Sequence, residues 1–146
     1  MVEFLGVSVL LLVPIIYLVV TFAQIQSASY ATDIVAREAA RAAVVAGVAA
    51  LEDGASRSQA VGEAERRASA VAALTMQDFG IDAADYGLTL SCSTSACFAP
   101  GSEIRADVST QVALPGMPTI IGSVGPVGVG VASSSSSPVD DFAGEL

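Results

Sequence analysis

The residues of this 146-residue chain that could carry out chemistry are two cysteines and a set of carboxylates. Histidine and lysine are both absent. This excludes Ser-His and Cys-His nucleophiles, Schiff bases and the lysine of a phosphate-binding loop. The acids that remain stand in polar contexts, where carboxylates are usually solvated. We therefore expect no enzyme activity, no catalytic residue and no cofactor; the candidate acids are Glu63 and Glu65, Asp82 and Asp85, and Asp140 and Asp141.

The two cysteines, Cys92 and Cys97, lie between two predicted strands. Two thiolates without a histidine supply only half of a zinc ligand set, so the pair favours a disulfide over a metal site. Disulfides persist outside the cytoplasm. The sequence thus predicts that the C-terminal region is extracytoplasmic.

The element that must position these groups relative to a membrane is the apolar run over residues 4–23, which contains no charge. A helix of about 20 residues crosses a hydrocarbon layer about 30 Å thick. A cleavable signal would have a basic start and a shorter apolar core, and this run instead continues into polar helical sequence. We predict a retained transmembrane helix over residues 1–23, with the lipid bilayer as its partner.

Charge gives two indications about the surroundings of the chain. The formal net charge is −9 and the acids are spread along the sequence, which argues against a nucleic-acid partner because such a surface needs clustered positive charge. The positive-inside rule would place the C-terminal side inside, since Arg37 and Arg41 follow the span and no basic residue precedes it. A basic leader upstream of Met1 would reverse that comparison. We give more weight to the expected disulfide than to the positive-inside rule. We therefore predict a single-pass protein of the cytoplasmic membrane with an extracytoplasmic C-terminal head.

The helical pattern continues past the span without a proline or turn signal until Asp53-Gly54. Alanine, the best helix former, dominates this stretch, and we predict a helical stalk over residues 24–54. Asp33 and Arg37 form a favourable i,i+4 pair, whereas Arg37 and Arg41 are like charges at the same spacing and need a partner. Small residues that would let another helix approach closely recur along two lines, Ala28, Thr32, Ala36 and Ala40, and Ala39, Ala43 and Gly47. The alternative is that the alanines are ordinary packing residues and the arginines are solvated.

Residues 55–136 are predicted to form a small α+β head. Ser56 and Gln59 fit a capping box that begins an amphipathic helix ending near Phe79. Apolar residues then alternate over residues 86–90, 104–112 and 127–131, which predicts three strands, with breaks at 115–118 and 122–126 between the second and the third. Two helices followed by closely spaced strands indicate an antiparallel sheet with helix against one face. The final stretch, SSSSSPVDDFAGEL, is polar, and we predict a flexible acidic tail over residues 137–146.

The N-terminal half carries a resemblance to a known family. A span that opens with VEF and is joined to a polar helical stretch reaching AREAARAA resembles the TadE-like minor pseudopilins of tight-adherence (Flp-type) pilus systems, actinobacterial type. The C-terminal part is similar as well, with a cysteine pair, Pro100-Gly101 shortly after it, alternating valine strands and a terminal PVDDF. The resemblance covers the span with its helical continuation and much of the C-terminal third of the chain.

The resemblance implies a pilin-like fold and a set of assembly residues. Glu3 corresponds to the glutamate near the start of processed pilins, which in that family type is thought to neutralise the N-terminal amine of a neighbouring subunit. The alternative for Glu3 is a position at headgroup depth, where the helix dipole favours an acid. Pro14 resembles the proline that loosens pilin stems. Arg37, Glu38 and Arg41 belong to the AREAAR stretch and complete the set.

The function that the resemblance implies is structural, a minor pseudopilin that initiates, caps or regulates a pilus or a secretion pseudopilus. Its partners would be other pilins or pseudopilins and the inner-membrane assembly platform, and incorporation into a surface pilus is a further expectation. A prepilin carries a basic, glycine-ended leader, and a prepilin peptidase would be a partner if such a leader lies upstream of Met1. The alternative function is a membrane-anchored extracellular binding module that does not enter a filament.

Overall fold

The computed structural model describes residues 2–114 and 128–141, with the backbone alone for residues 2, 3 and 5. Two helices, α1 (Val2–Glu52) and α2 (Arg57–Asp78), precede three strands. These strands are β1 (Tyr86–Cys92), β2 (Glu103–Ala113) and β3 (Gly128–Pro138). The order of the elements and the antiparallel pairing of the strands confirm the predicted α+β fold.

Helix α1 is one element of 51 residues, and its end is encoded locally. Gly54 adopts a positive φ of 84°, a conformation that glycine reaches without steric cost. Its amide donates to the carbonyl of Leu51 at 3.0 Å, and the Ala55 amide donates to the carbonyl of Ala50 at 2.9 Å. These two bonds form a Schellman motif, which satisfies carbonyls that the last turn leaves without partners.

Helix α2 begins at the predicted capping box. Ser56 is its N-cap, and its side chain accepts from the Gln59 backbone amide. The Gln59 side chain in turn accepts from the Ser56 backbone amide at 2.8 Å. One face of α2 is buried at every fourth residue: Ala60, Ala64, Ala68, Ala72 and Met76. This alanine face is the partner of α1, and because alanine has a short side chain the two helices can pack closely along it.

The sheet has the strand order β1-β2-β3 and lies with one face against the helices. Its register places Leu88 opposite Val108 and Val108 opposite Ser133. Side chains of β2 alternate strictly, so that one set is buried (Ile104, Ala106, Val108 and Thr110) while their neighbours face outward. Helix α1 packs over β2 and β3, and α2 packs against α1.

The core therefore draws on the second half of α1. Its fully buried side chains are Ala31, Thr32, Val35, Ala36, Ala39, Ala40 and Ala43. Inside this core the Thr32 hydroxyl donates to the Ala28 carbonyl at 2.6 Å and lies 3.0 Å from the Thr110 hydroxyl on β2. The predicted stalk, residues 24–54, thus contributes one wall of the head.

The end of β3 differs from the boundary predicted for the tail. Residues 133–137 belong to β3 and pair with β2, and Pro138 pairs with Glu103, so residues 137 and 138 are not part of a flexible tail. Val139 is buried, and its amide donates to the Ser102 carbonyl at 2.8 Å. Strand pairing uses backbone groups, which a serine supplies as well as a valine does. Residues 142–146 and both predicted breaks between β2 and β3 lie outside the described residues.

Candidate functional site

The first part of α1 presents an apolar surface that nothing in the described chain covers. It is long and apolar enough to cross a membrane, and none of its most apolar window is buried inside the head. The large apolar side chains exposed along it are Phe4, Val7, Val9, Leu10, Leu11, Leu12, Val13, Ile15, Ile16, Tyr17, Leu18, Val19, Val20 and Phe22. Exposing a continuous apolar surface of this kind to water costs a large free energy, whereas exposing it to the hydrocarbon of a bilayer does not. This segment is therefore suited to lie in lipid.

Pro14 lies within this segment, and α1 continues through it. A proline has no backbone N–H and its ring crowds the preceding turn, so one intrahelical hydrogen bond is missing at this point of α1. Such a gap weakens the helix locally without ending it. The side chain of Glu3, the other predicted assembly residue near the N-terminus, lies outside the described residues, and its role remains a prediction.

The predicted charged residues of α1 lie together on its exposed side, within the head. Arg37 pairs with Asp33 at 2.7 Å, as their spacing predicts. Glu38 and Arg41 are exposed, and neither forms an ion pair with another residue in the described ranges. An exposed i,i+4 pair contributes a few tenths of a kcal/mol at most. These charges therefore do little for the stability of the head and remain accessible to a partner.

Apolar side chains accompany these charges on the uncovered side of α1. Tyr30 and Val45 are 64% and 63% exposed, and Ile34 is 41% exposed. The two lines of small residues, by contrast, are buried along their whole length, from Ala28 to Gly47. Ala39, Ala40 and Ala43 share a core cluster with alanines of α2, so the predicted close approach of another helix is met there within the chain. Other members of the two lines meet different elements, since Thr32 contacts β2 and Gly47 contacts Phe98. The uncovered side of α1 is thus a mixed charged and apolar face.

The distal end of the head, the end farthest along α1 from the apolar segment, is closed by the predicted disulfide. Cys92 ends β1 and is bonded to Cys97, with a Cα–Cα distance of 5.5 Å. The prediction of a disulfide is confirmed. The next residue, Phe98, is buried against Gly47 of α1. This contact was not predicted from the sequence, although a glycine within an alanine-rich helix indicates that something large approaches there.

The three acid pairs are not brought together by the fold. Glu63 forms an ion pair with Arg66 on α2. Asp85 lies before β1, where it lines a cavity of about 290 Å³ with residues of α1, of the segment that follows α2 and of β2, among them Gln24, Phe79 and Gln111. Asp141 follows β3 and is exposed. Each pair therefore stays in its own part of the head.

The outward face of the sheet is polar and uncovered within the described residues. Arg105 donates to Asp107 at 3.1 Å and to the Ser134 hydroxyl at 2.7 Å, which joins the outer faces of β2 and β3. Beside this network lies a shallow depression of about 330 Å³ with small residues on each strand, Gly87, Ser109 and Ala132. The sheet thus presents a second surface, on the side opposite to α1.

Comparisons with models of protein families, with curated proteins and with solved structures found no match.

Proposed function

We propose that this chain is a structural subunit of the cell envelope, a minor pseudopilin of the TadE-like type that initiates, caps or regulates a tight-adherence pilus or a related secretion pseudopilus. The observation that carries the proposal is the construction of α1. A single helix joins an exposed apolar segment of membrane-spanning length to the core of a small α+β head.

This construction suits assembly for a mechanical reason. No break separates the apolar segment from the part of α1 that packs against α2 and the sheet. The head therefore follows the orientation of the apolar segment, apart from bending near Pro14. If several apolar segments pack side by side, their heads are arranged in a defined way, which a flexible linker would not achieve.

The mixed face of α1 is the surface that we assign to neighbouring subunits. Arg37, Glu38 and Arg41 are exposed, and Tyr30 and Val45 add apolar area on the same helix. Association through such a face would bury the apolar side chains and give Arg41 a counter-charge. In the low dielectric of an interface an ion pair is stronger than on an exposed surface.

A second candidate function is a membrane-anchored binding module whose head faces outward and does not enter a filament. The open polar face of the sheet favours it, because Arg105, Ser109 and Ser134 offer hydrogen-bonding groups beside a shallow depression. Here the apolar segment would serve only as an anchor, and the charges of α1 would be unimportant.

Replacement of Glu3 by glutamine in the native host separates the two functions. In the pseudopilin the variant loses the negative charge that would attract a neighbouring amine, so assembly should fail. Membrane insertion, disulfide formation and protein abundance should be unchanged, because a substitution at residue 3 leaves the packing of the head intact. Piliation and the amount of membrane-bound protein are both measured.

The matched control is Glu52→Gln, which removes an exposed acid from the opposite end of α1 and should leave piliation intact. Normal piliation with Glu3→Gln would refute the proposed role of the glutamate. Disappearance of the protein would show that the acid is needed for insertion or stability instead. An anchored binding module predicts no effect of either substitution on any filament.

A further inference from the structure

The residue after the disulfide has an unusual backbone conformation. Phe98 has φ of 66°, and within the described residues it is the one non-glycine residue with a positive φ. Side chains rarely adopt this region, because the Cβ then crowds the backbone. A phenylalanine stays there only when its surroundings hold it in place.

What holds the ring is a notch in α1. Phe98 is 5% exposed, and a Cβ built on Gly47 would lie 2.2 Å from its Cε1 and 2.3 Å from its Cζ. Carbon atoms in contact are normally about 3.5–4.0 Å apart. The ring therefore occupies the space that any other residue at position 47 would need for its own side chain.

The same ring joins the end of α1 to the sheet. Phe98 belongs to one core cluster with Ala43 of α1, Ile104 of β2 and Val139, and both cysteines pack against that cluster. Cys92 lies opposite Ile104 in the strand register. The disulfide thus fixes the start of the Phe98 backbone to β1, while the ring reaches α1. We call the disulfide, Phe98 and Gly47 the distal clamp.

We propose that the distal clamp is a redox-dependent lock, in which closing the Cys92–Cys97 disulfide seats Phe98 in the Gly47 notch and thereby orders the last turns of α1. The two ends of the segment from residue 93 to residue 101 are bonded to the rest of the head, Ser93 N–H to the Glu103 carbonyl at 2.9 Å and Gly101 N–H to the Val139 carbonyl at 3.4 Å. Without the disulfide, the residues between these ends are held mainly by turn bonds. Examples are Ala99 N–H to the Ala96 carbonyl at 3.1 Å and the Thr94 hydroxyl to the same carbonyl at 3.2 Å. Phe98 is then free to return to negative φ, which moves its ring out of the notch.

The redox step is an ordinary thiol–disulfide exchange. To close the clamp, the Cys92 and Cys97 thiols lose two protons and two electrons, and a disulfide-bearing oxidant is reduced to its dithiol. To open it, a dithiol reductant forms a mixed disulfide with one cysteine and then cyclises, releasing both thiols. The lock rests on the head alone and does not depend on the proposed function.

The consequence is a head that is completed in two stages. The packing of α1 on α2 and on Val108 needs no cysteine and can form first. The distal end, with the turn between α1 and α2, is completed only where a disulfide can form. A chain kept reduced would therefore carry a loosened distal end.

Amide hydrogen exchange on the full chain in detergent micelles, with and without dithiothreitol, tests the lock. The expected result is exchange roughly tenfold faster or more after reduction for amides of residues 45–55, since local opening sets the exchange rate. Amides at the other end of the head should not respond. Two such amides are those of Ile81 and Gln111, bonded to the carbonyls of Met76 and Asp85 at 2.9 and 2.8 Å. An unchanged rate over 45–55, or an equal rise at both ends, would overturn the proposal.

Phe98→Ala provides the decisive variant because it keeps the disulfide and removes the ring. Exchange over residues 45–55 should be fast already in the oxidised variant, and reduction should add little. Phe79→Ala is the matched control: it removes the same ring at the C-terminal end of α2, where Phe79 is 38% exposed, and it should keep the full response to reductant. If Phe98→Ala retains the response of the wild-type chain, the disulfide acts without the ring and the lock is refuted.

Discussion

Replacement of Gly47 by alanine should destabilise the head, although alanine is the better helix former. In the interior of a helix this substitution is normally worth about 1 kcal/mol of stabilisation. At position 47, however, the new methyl group would lie 2.2, 2.3 and 2.7 Å from three atoms of the Phe98 ring. To reach a carbon–carbon separation of about 3.5 Å, the nearest of these atoms would have to retreat by about 1.3 Å.

The cost follows from how little the ring can move. Phe98 is bonded to Cys97, whose side chain is tied to β1 by the disulfide, and the ring is packed among core residues. Overpacking a core costs about 1–3 kcal/mol, and complete loss of a buried phenylalanine ring costs about 3–5 kcal/mol. After subtraction of the helix-propensity gain of about 1 kcal/mol, overpacking leaves a loss of about 0–2 kcal/mol and complete displacement of the ring leaves about 2–4 kcal/mol. Because the ring must move but stays covalently held beside the notch, we expect a net loss between these cases, about 1–3 kcal/mol in the free energy of unfolding.

Thermal unfolding of the full chain in detergent, followed by circular dichroism, measures this loss. At about 4 °C per kcal/mol, the Tm of Gly47→Ala should fall by about 4–12 °C. Gly62→Ala is the matched control, because Gly62 lies inside α2 and a Cβ there meets nothing within 4 Å. Its Tm should rise by about 2–4 °C, as expected for a gain of about 0.5–1 kcal/mol. A Gly47→Ala protein as stable as the wild type, or more stable, would refute the notch.

Three further predictions concern other parts of the chain. Thr32→Val should lower the free energy of unfolding by about 1–3 kcal/mol, because it leaves the buried Thr110 hydroxyl without a hydrogen-bond partner. Thr110→Val should lower it by less, since the Thr32 hydroxyl keeps its bond to the Ala28 carbonyl. Equal losses of the two variants in thermal unfolding would contradict this asymmetry. Thiol labelling of protein from its native envelope should find no free cysteine before reduction, and equal labelling with and without reductant would argue against both the disulfide in the cell and the extracytoplasmic placement of the head. Joint replacement of Arg37 and Arg41 by alanine should leave insertion and Tm unchanged and weaken co-purification with partner subunits, and unaltered co-purification would make both arginines solvated surface residues.

The sequence predicted the elements well where local rules determine them. The helix ends are examples, because Gly54 and the Ser56/Gln59 capping box act through bonds within a few residues. Strand alternation on β2 is another, since one face of the strand is buried and the other is not. The disulfide also followed from local information, because the only two cysteines lie five residues apart.

At the end of β3 the prediction from local sequence was wrong. Five consecutive serines carry no apolar alternation, and low-complexity polar sequence is usually read as loop. Their pairing is imposed by β2, which extends to Glu103 and offers backbone groups along its whole length. The strand assignment of these serines thus depends on a pairing partner about 30 residues away in the chain, which a local pattern does not show.

A long apolar N-terminal helix, an α+β head and a disulfide could all be predicted from the residues alone, because hydrophobic length, periodicity and cysteine count act locally or through composition. Which surface of α1 is free could not be predicted in this way, since it depends on how the helix packs in the fold. The sequence placed small residues and charges along the same helix without showing which of them face α2 and the sheet. The fold buries Ala36, Ala40 and Ala43 in the head and leaves Arg37 and Arg41 outside. It also places Phe98 on Gly47, a contact between residues far apart in sequence. Such contacts depend on where distant elements meet, and that is fixed by packing the whole core at once.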